Sequence, residues 1–165
     1  MRRRIGLFVG LALGATLASC ERSSRPAEPA SVFSHALTED VSGDYRPVDP
    51  ARAGGVALES LFIGQPEAFA AWEAGQGGSA PLVLTLSDGR GPVRIGPESY
   101  RVTDKELRFR GQAGGGTAIG FAGRLDPGAL ATARRNLGDR TVVIRGELTV
   151  GGHRSPVQLT PWGGD

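Results

Sequence analysis

The sequence predicts a mainly β domain, an antiparallel sandwich or a partly open barrel with two short helices. Three observations carry this. Apolar residues come in short runs, several alternating with polar ones at the two-residue period of a half-buried strand, as in Tyr100-Arg101-Val102 and Leu107-Arg108-Phe109. Turn residues separate the runs: 26 Gly and 11 Pro among 165 residues stay below the range of about 25–30% that marks low complexity. Only two stretches carry helix start and stop signals.

Taken in order, Ser31-Val32-Phe33-Ser34 and Val41 to Tyr45 read as short strands, flanking an unassigned segment that holds His35. Val56 to Ile63 alternates at first and then becomes continuously apolar, as a strand running into a core does. Gln65-Pro66 opens a short helix with Phe69 and Trp72 on one face, and Gly75 ends it. After the turn Gln76-Gly77-Gly78-Ser79, Leu82 to Leu86 is a compact strand stopped by Ser87-Asp88-Gly89. Val93-Arg94-Ile95 follows as an edge-like strand.

Tyr100 to Val102 and Leu107 to Phe109 form a hairpin around Thr103-Asp104-Lys105, and Thr117 to Arg124 is another strand. Asp126-Pro127 starts the second helix, because Asp126 caps free amides and Pro127 lacks only an N–H that would be unpaired anyway. Leu130, Ala133 and Leu137 share its face, Arg134 and Arg135 sit near the negative end of its dipole, and Gly138 closes it. Thr141 to Val150 and Arg154 to Leu159 make a terminal hairpin around Gly151-Gly152, followed by Trp162. No internal repeat is seen.

The N-terminus has a different character. Arg2, Arg3 and Arg4 precede an uncharged apolar run from Ile5 to Leu17, and Leu17-Ala18-Ser19 then leads into Cys20. The run is shorter than the roughly 20 residues needed to span a bilayer, so it reads as the core of a secretory signal. The expected division is a signal peptide over 1–19, a proline-containing polar tether over 20–30, and one β-rich domain over 31–165. Where extended, the tether spans about 3 Å per residue.

Leu17-Ala18-Ser19-Cys20 resembles the lipobox of bacterial lipoproteins. The resemblance implies cleavage before Cys20, a diacylglycerol thioether on its sulfur and usually an acylated (palmitate-bearing) amine, a combination that anchors stably where one chain does not. Glu21 after the cysteine, in place of a retaining aspartate, implies an outer-membrane address facing the periplasm. Cys20 is the sole cysteine, so its lipidation leaves the mature chain without a disulfide or a thiol nucleophile.

Loss of Arg2, Arg3 and Arg4 turns the formal charge of +2 into −1, which together with an envelope address argues against nucleic acid as a partner. Catalytic and metal-binding patterns are weak. His35 and His153 are the sole histidines, and His153 falls in a hairpin turn; His35 stands close in sequence to Glu39 and Asp40. Asp40, Asp44 and Asp49 lack the glycine and terminal glutamate of a calcium loop, and no Gly-x-Ser-x-Gly elbow occurs. Gly111 to Thr117 lacks the lysine of a phosphate loop and joins two strands, so it reads as a glycine-rich hairpin loop. No metal, cofactor or catalytic set is assigned.

One pattern suits a ligand. Arg94, Arg101, Arg108 and Arg110 occupy the polar positions of alternating strands, and on neighbouring strands they would share one sheet face. Guanidinium forks match phosphate and carboxylate, so the expected partner is an anionic envelope component or an envelope protein. The competing reading is a solvated face balanced by Asp104 and Glu106.

The run from Gly146 to Leu159 (GELTVGGHRSPVQL) resembles a hairpin of the periplasmic polyisoprenoid-binding, lipocalin-like family, which implies a β-barrel around an isoprenoid chain. About fifteen residues carry it, the second helix directly before the hairpin departs from the pattern, and no ligand residue transfers. Gly123 to Leu130 (GRLDPGAL) is similar to uncharacterised small lipoproteins of alphaproteobacteria, which implies no activity. The leading expectation is a non-enzymatic, membrane-anchored binding or assembly module. The alternatives are a carrier of an apolar ligand and a small envelope hydrolase.

Overall fold

The computed structural model describes residues 32–164 except 137 and 139. The signal peptide and the whole tether, Cys20 included, lie outside the described residues, as does Leu137. Eleven strands join in one sheet: β1 (Phe33–Ala36), β2 (Gly43–Pro47), β3 (Arg52–Ala53), β4 (Val56–Ile63), β5 (Leu82–Ser87), β6 (Pro92–Ile95), β7 (Pro97–Thr103), β8 (Glu106–Ala113), β9 (Thr117–Leu125), β10 (Ile144–Val150) and β11 (His153–Pro161). The hydrogen-bonded order is β1-β7-β8-β9-β10-β11-β2-β4-β5-β6, with β3 attached to β4. All pairs are antiparallel except β1 with β7.

The sheet curls on itself, so the partly open barrel is the form adopted and the sandwich is not. β6 passes through Gly96 alone into β7, which joins the far end of the strand order to its beginning. Inward residues of alternate register fill the interior: Tyr45, Leu61, Leu84, Leu107, Phe109, Phe121, Ile144, Leu148 and Leu159 are all buried. This packing follows from the two-residue period, which sends every second side chain to one face.

Both helices sit where strands end. α1 (Pro66–Glu73) connects β4 to β5, and α2 (Pro127–Arg135) connects β9 to β10. Asp126 caps α2 as expected, its Oδ1 accepting from the Ala129 N–H at 3.0 Å. Arg134 has a use beyond the dipole: its guanidinium donates to the carbonyls of Asp40 (2.7 Å) and Ser42 (2.6 Å), fastening α2 to the loop before β2. The helix is capped at Asn136, earlier than Gly138 suggests.

The opposite end is formed by turns. Gly151-Gly152 makes the expected two-residue hairpin, and both residues have positive φ (54° and 86°), a conformation in which glycine alone is unstrained. Gly54-Gly55 does the same between β3 and β4, with φ of 56° and 85°. That hairpin escapes the sequence reading because β3 has two residues, although its Gly-Gly signal equals that of the terminal hairpin. His35 is the other correction: it lies inside β1, opposite Val102, not in a connecting segment.

Candidate functional site

The outward positions of β7 to β10 form one arginine-bearing surface. Arg101 stands directly opposite Arg108 across β7–β8, and Arg110 is opposite Ser99. Two arginines absent from the expected set extend the surface: Arg124 of β9 and Arg145 of β10 are directly opposite each other. Both obey the same alternation, but only the register reveals that they meet. Arg94 departs from the group, because it lies on β6 and pairs with Thr85 at the other end of the strand order.

Two glutamates share the surface, Glu106 directly opposite Arg124 across β8–β9 and Glu147 on the same strand as Arg145. Glu106 Oε1 accepts from Arg108 Nε at 2.7 Å, and Glu147 lies 3.5 Å from Arg154. Arg101, Arg110, Arg124 and Arg145 are exposed and have no hydrogen bond or ion pair among the described residues. Asp104 does not neutralise them, since its carboxylate accepts from the Thr38 N–H (2.8 Å), the Thr38 hydroxyl (2.6 Å) and the Glu39 N–H (3.0 Å). Like charges directly opposite on a sheet destabilise it by tenths of a kcal/mol to about 1 kcal/mol. Ala122 lines a shallow groove of about 480 Å³ with Glu106, Arg108, Arg124, Arg145 and Glu147, and Arg124 also borders a hollow of about 540 Å³ with Lys105 and Asp126. A multidentate anion laid along this surface meets several guanidinium donors.

His35 finds a carboxylate, though not the neighbouring ones. Its Nδ1 lies 3.0 Å from both oxygens of Glu73 at the end of α1, and Tyr100 donates its hydroxyl to Glu73 Oε1 at 3.0 Å. The imidazole stacks on Phe69 at 5.5 Å, and Phe69 meets Tyr100 edge-on at 5.2 Å. Burial, then the Glu73 carboxylate, raises the Tyr100 hydroxyl above its ordinary pKa, so it stays a donor at neutral pH. The cluster is a clasp that ties α1 to β1 and β7 through Glu73. Among the described residues no three His, Cys, Asp or Glu side chains converge as metal ligands. Asp40 is engaged by Ser42 and Arg134. His153 is exposed at the start of β11.

A separate hollow of about 450 Å³ opens at the turn-lined end of the barrel, between Val56, Leu86, Val93, Ile95, Ile119 and Val150, with Asp88 and Arg90 on its rim. Gly111 to Thr117 contributes the loop expected of it, a glycine turn between β8 and β9 that borders this mouth.

The aspartates that tie loops together give the domain an acid limit. Hydrogen bonds from Thr38 and Glu39 hold Asp104 below the usual carboxylate range, and those from Ser42 do the same for Asp40, with Arg134 adding to it. A depressed folded-state pKa contributes stability above the unfolded value near 3.9 that is lost as pH falls through the folded one. The melting temperature should therefore fall as pH drops from about 5 to about 3, modestly because Asp40 is exposed and Asp104 is only half-buried. Asp104→Asn should flatten that slope, and an unchanged slope would refute the assignment.

Comparisons with protein-family models, with curated proteins and with solved structures find no match to this chain.

Proposed function

We propose that the chain is a non-enzymatic binding module, anchored in the cell envelope by lipid on Cys20, whose arginine face engages a phosphate- or carboxylate-bearing partner. The supporting observation is the pair of like-charged cross-strand contacts, Arg101 with Arg108 and Arg124 with Arg145, on one exposed surface. Such contacts cost stability in the free protein, and a bound anion offsets that cost by bridging the guanidinium groups. The anchor rests on the sequence Leu17-Ala18-Ser19-Cys20.

Two variants separate the parts of this reading. After a high-salt wash that screens the arginine face, Cys20→Ser should move the protein from the membrane fraction to the soluble one, and unchanged membrane retention in that wash refutes the anchor. Arg101→Ala with Arg108→Ala should keep the anchor but sharply lower the recovery of cross-linked envelope material; recovery equal to wild type refutes the arginine face.

A second reading, a carrier of an apolar ligand, is favoured by the mouth between Val56, Leu86, Ile119 and Val150. Buried side chains such as Tyr45, Phe109 and Phe121 occupy the barrel interior, so on this reading the ligand seats at the open end. Lipid copurifying with detergent-free Cys20→Ser protein supports it.

A further inference from the structure

The outer face of β11, β2 and β4 holds an aromatic corner whose chemistry differs from that of the arginine face. Tyr45 points into the barrel, so Asp44 and Arg46 beside it point outward. Asp44 is opposite Phe62 on β4, and Arg46 is opposite Thr160 on β11. The Trp162 N–H donates to the Asp44 carbonyl at 2.8 Å, which carries the pairing one residue past β11 and sets the indole at this corner. The Arg46 guanidinium lies 3.7 Å from the indole centroid. Even so, Trp162 and Phe62 each remain 39% exposed, among the few large apolar side chains in the domain that do.

Polar atoms lie unsatisfied beside this aromatic surface. Asp44 Oδ1 and Thr160 Oγ1 are buried without a hydrogen-bond partner. Neither arginine nearby serves Asp44: Arg134 is committed to Asp40 and Ser42, and Arg46 lies over Trp162. A hollow of about 170 Å³ opens between Gly43, Asp44, Leu130, Arg134 and Trp162. Leaving a buried acceptor unpaired costs roughly 1–3 kcal/mol, more for a charged group. Asp44 lines the hollow, and a turn of its carboxylate that brings the covered Oδ1 to a ligand donor recovers part of that cost.

The surroundings select the ligand's chemistry. An ionised carboxylate accepts only, so the ligand must bring donors. An exposed indole with a phenyl ring nearby favours a flat face of C–H groups, as aromatic side chains contribute apolar area with a fixed orientation. An ammonium group would satisfy both demands, but the guanidinium already on the indole repels it and offers donors to ligand oxygens instead. The hollow is smaller than the roughly 300–1,000 Å³ of clefts that enclose whole ligands, so it takes one ring rather than a chain. We propose that Asp44 and Trp162, which line this hollow, form a binding site for a single pyranose ring of a neutral saccharide, with Arg46 and Phe62 beside it on the same sheet face. The ring would stack on the aromatic corner and donate hydroxyls to Asp44. This site does not depend on the arginine-face reading.

The test is NMR titration of the chain from residue 20 onward carrying Cys20→Ser, with N-acetylglucosamine, maltose and, as a cationic probe, choline chloride. The Trp162 indole N–H and the Gly43 and Asp44 amides should shift with one of the sugars at millimolar concentration, while the Trp72 indole stays still. Asp44→Ala should weaken that binding at least about tenfold, the loss expected for a hydrogen bond to a charged group. It should do so with the melting temperature held or raised, because it removes an unpaired carboxylate; a purely structural Asp44 would lower it. Should Asp44→Ala fail to fold, Asp44→Asn keeps the shape and should weaken binding severalfold. The proposal is overturned if neither sugar moves Trp162 up to about 50 mM. It is equally overturned if choline moves it as much, or if neither Asp44 variant alters binding.

Discussion

Gly146→Ala is expected to cost about 3 kcal/mol and to lower the melting temperature by on the order of 10 °C. A Cβ at this position would lie 2.5 Å from the Ala122 carbonyl oxygen and 2.8 Å from the Gly123 Cα. Both are backbone atoms of the adjacent strand, which cannot rotate aside as a side chain does. Gly146 and Gly123 are cross-strand partners on the concave face, and their missing side chains let β9 and β10 curl together. Gly111 marks the second such place, where a Cβ would come within 2.5 Å of the Gly96 carbonyl at the β6–β7 corner. Gly120 is the control, since its Cβ would meet Thr149 at an ordinary 3.6 Å. Gly120→Ala should stay within about 0.5 kcal/mol of wild type. Equal melting temperatures for Gly146→Ala and Gly120→Ala would refute this account of the curl.

Phe69→Ala is expected to cost roughly 3–5 kcal/mol, the range for emptying a fully buried aromatic position. Phe69 is 0% exposed and sits between His35 and Tyr100. Its ring joins α1 to the parallel edge strand β1, so the loss should appear first there. Hydrogen exchange should accelerate at the Tyr100 N–H, which donates to the Val32 carbonyl, before it does at the β9–β10 ladder. Phe69→Leu should restore much of the stability by refilling the volume. A cost under about 1 kcal/mol for Phe69→Ala would mean that α1 and β1 are held by other contacts.

Local patterns were legible in the sequence and long-range partnerships were not. The β7–β8 hairpin follows from the alternation of Tyr100 to Val102 and Leu107 to Phe109, and the structure pairs Tyr100 with Phe109 and Val102 with Leu107. The start of α2 was equally legible, because a cap acts within three residues of its helix. By contrast, His35 meets Glu73 across 38 residues, and no spacing rule connects a strand residue to a helix end. The arginine face was legible by half. Arg101 and Arg108 sit on one hairpin, so their pairing follows from its turn. Arg124 and Arg145 meet only because α2 intervenes without changing the neighbour relation of β9 and β10. Arg94 failed for the complementary reason: it obeys the alternation, but its strand joins β5 rather than β8.

The arginine face is tested most directly by Arg145→Glu, which turns the Arg124–Arg145 contact from repulsive to attractive. Cys20→Ser protein, with and without this change, is sedimented with phosphatidylglycerol and phosphatidylcholine vesicles over a range of salt. The account predicts binding to the anionic vesicles only, weakening as salt rises. It further predicts that the variant binds about thirtyfold less, from a change of two charge units at about 1 kcal/mol each, while its melting temperature is unchanged or slightly higher. Equal binding to both vesicle types, or full binding by a folded Arg145→Glu variant, would contradict it.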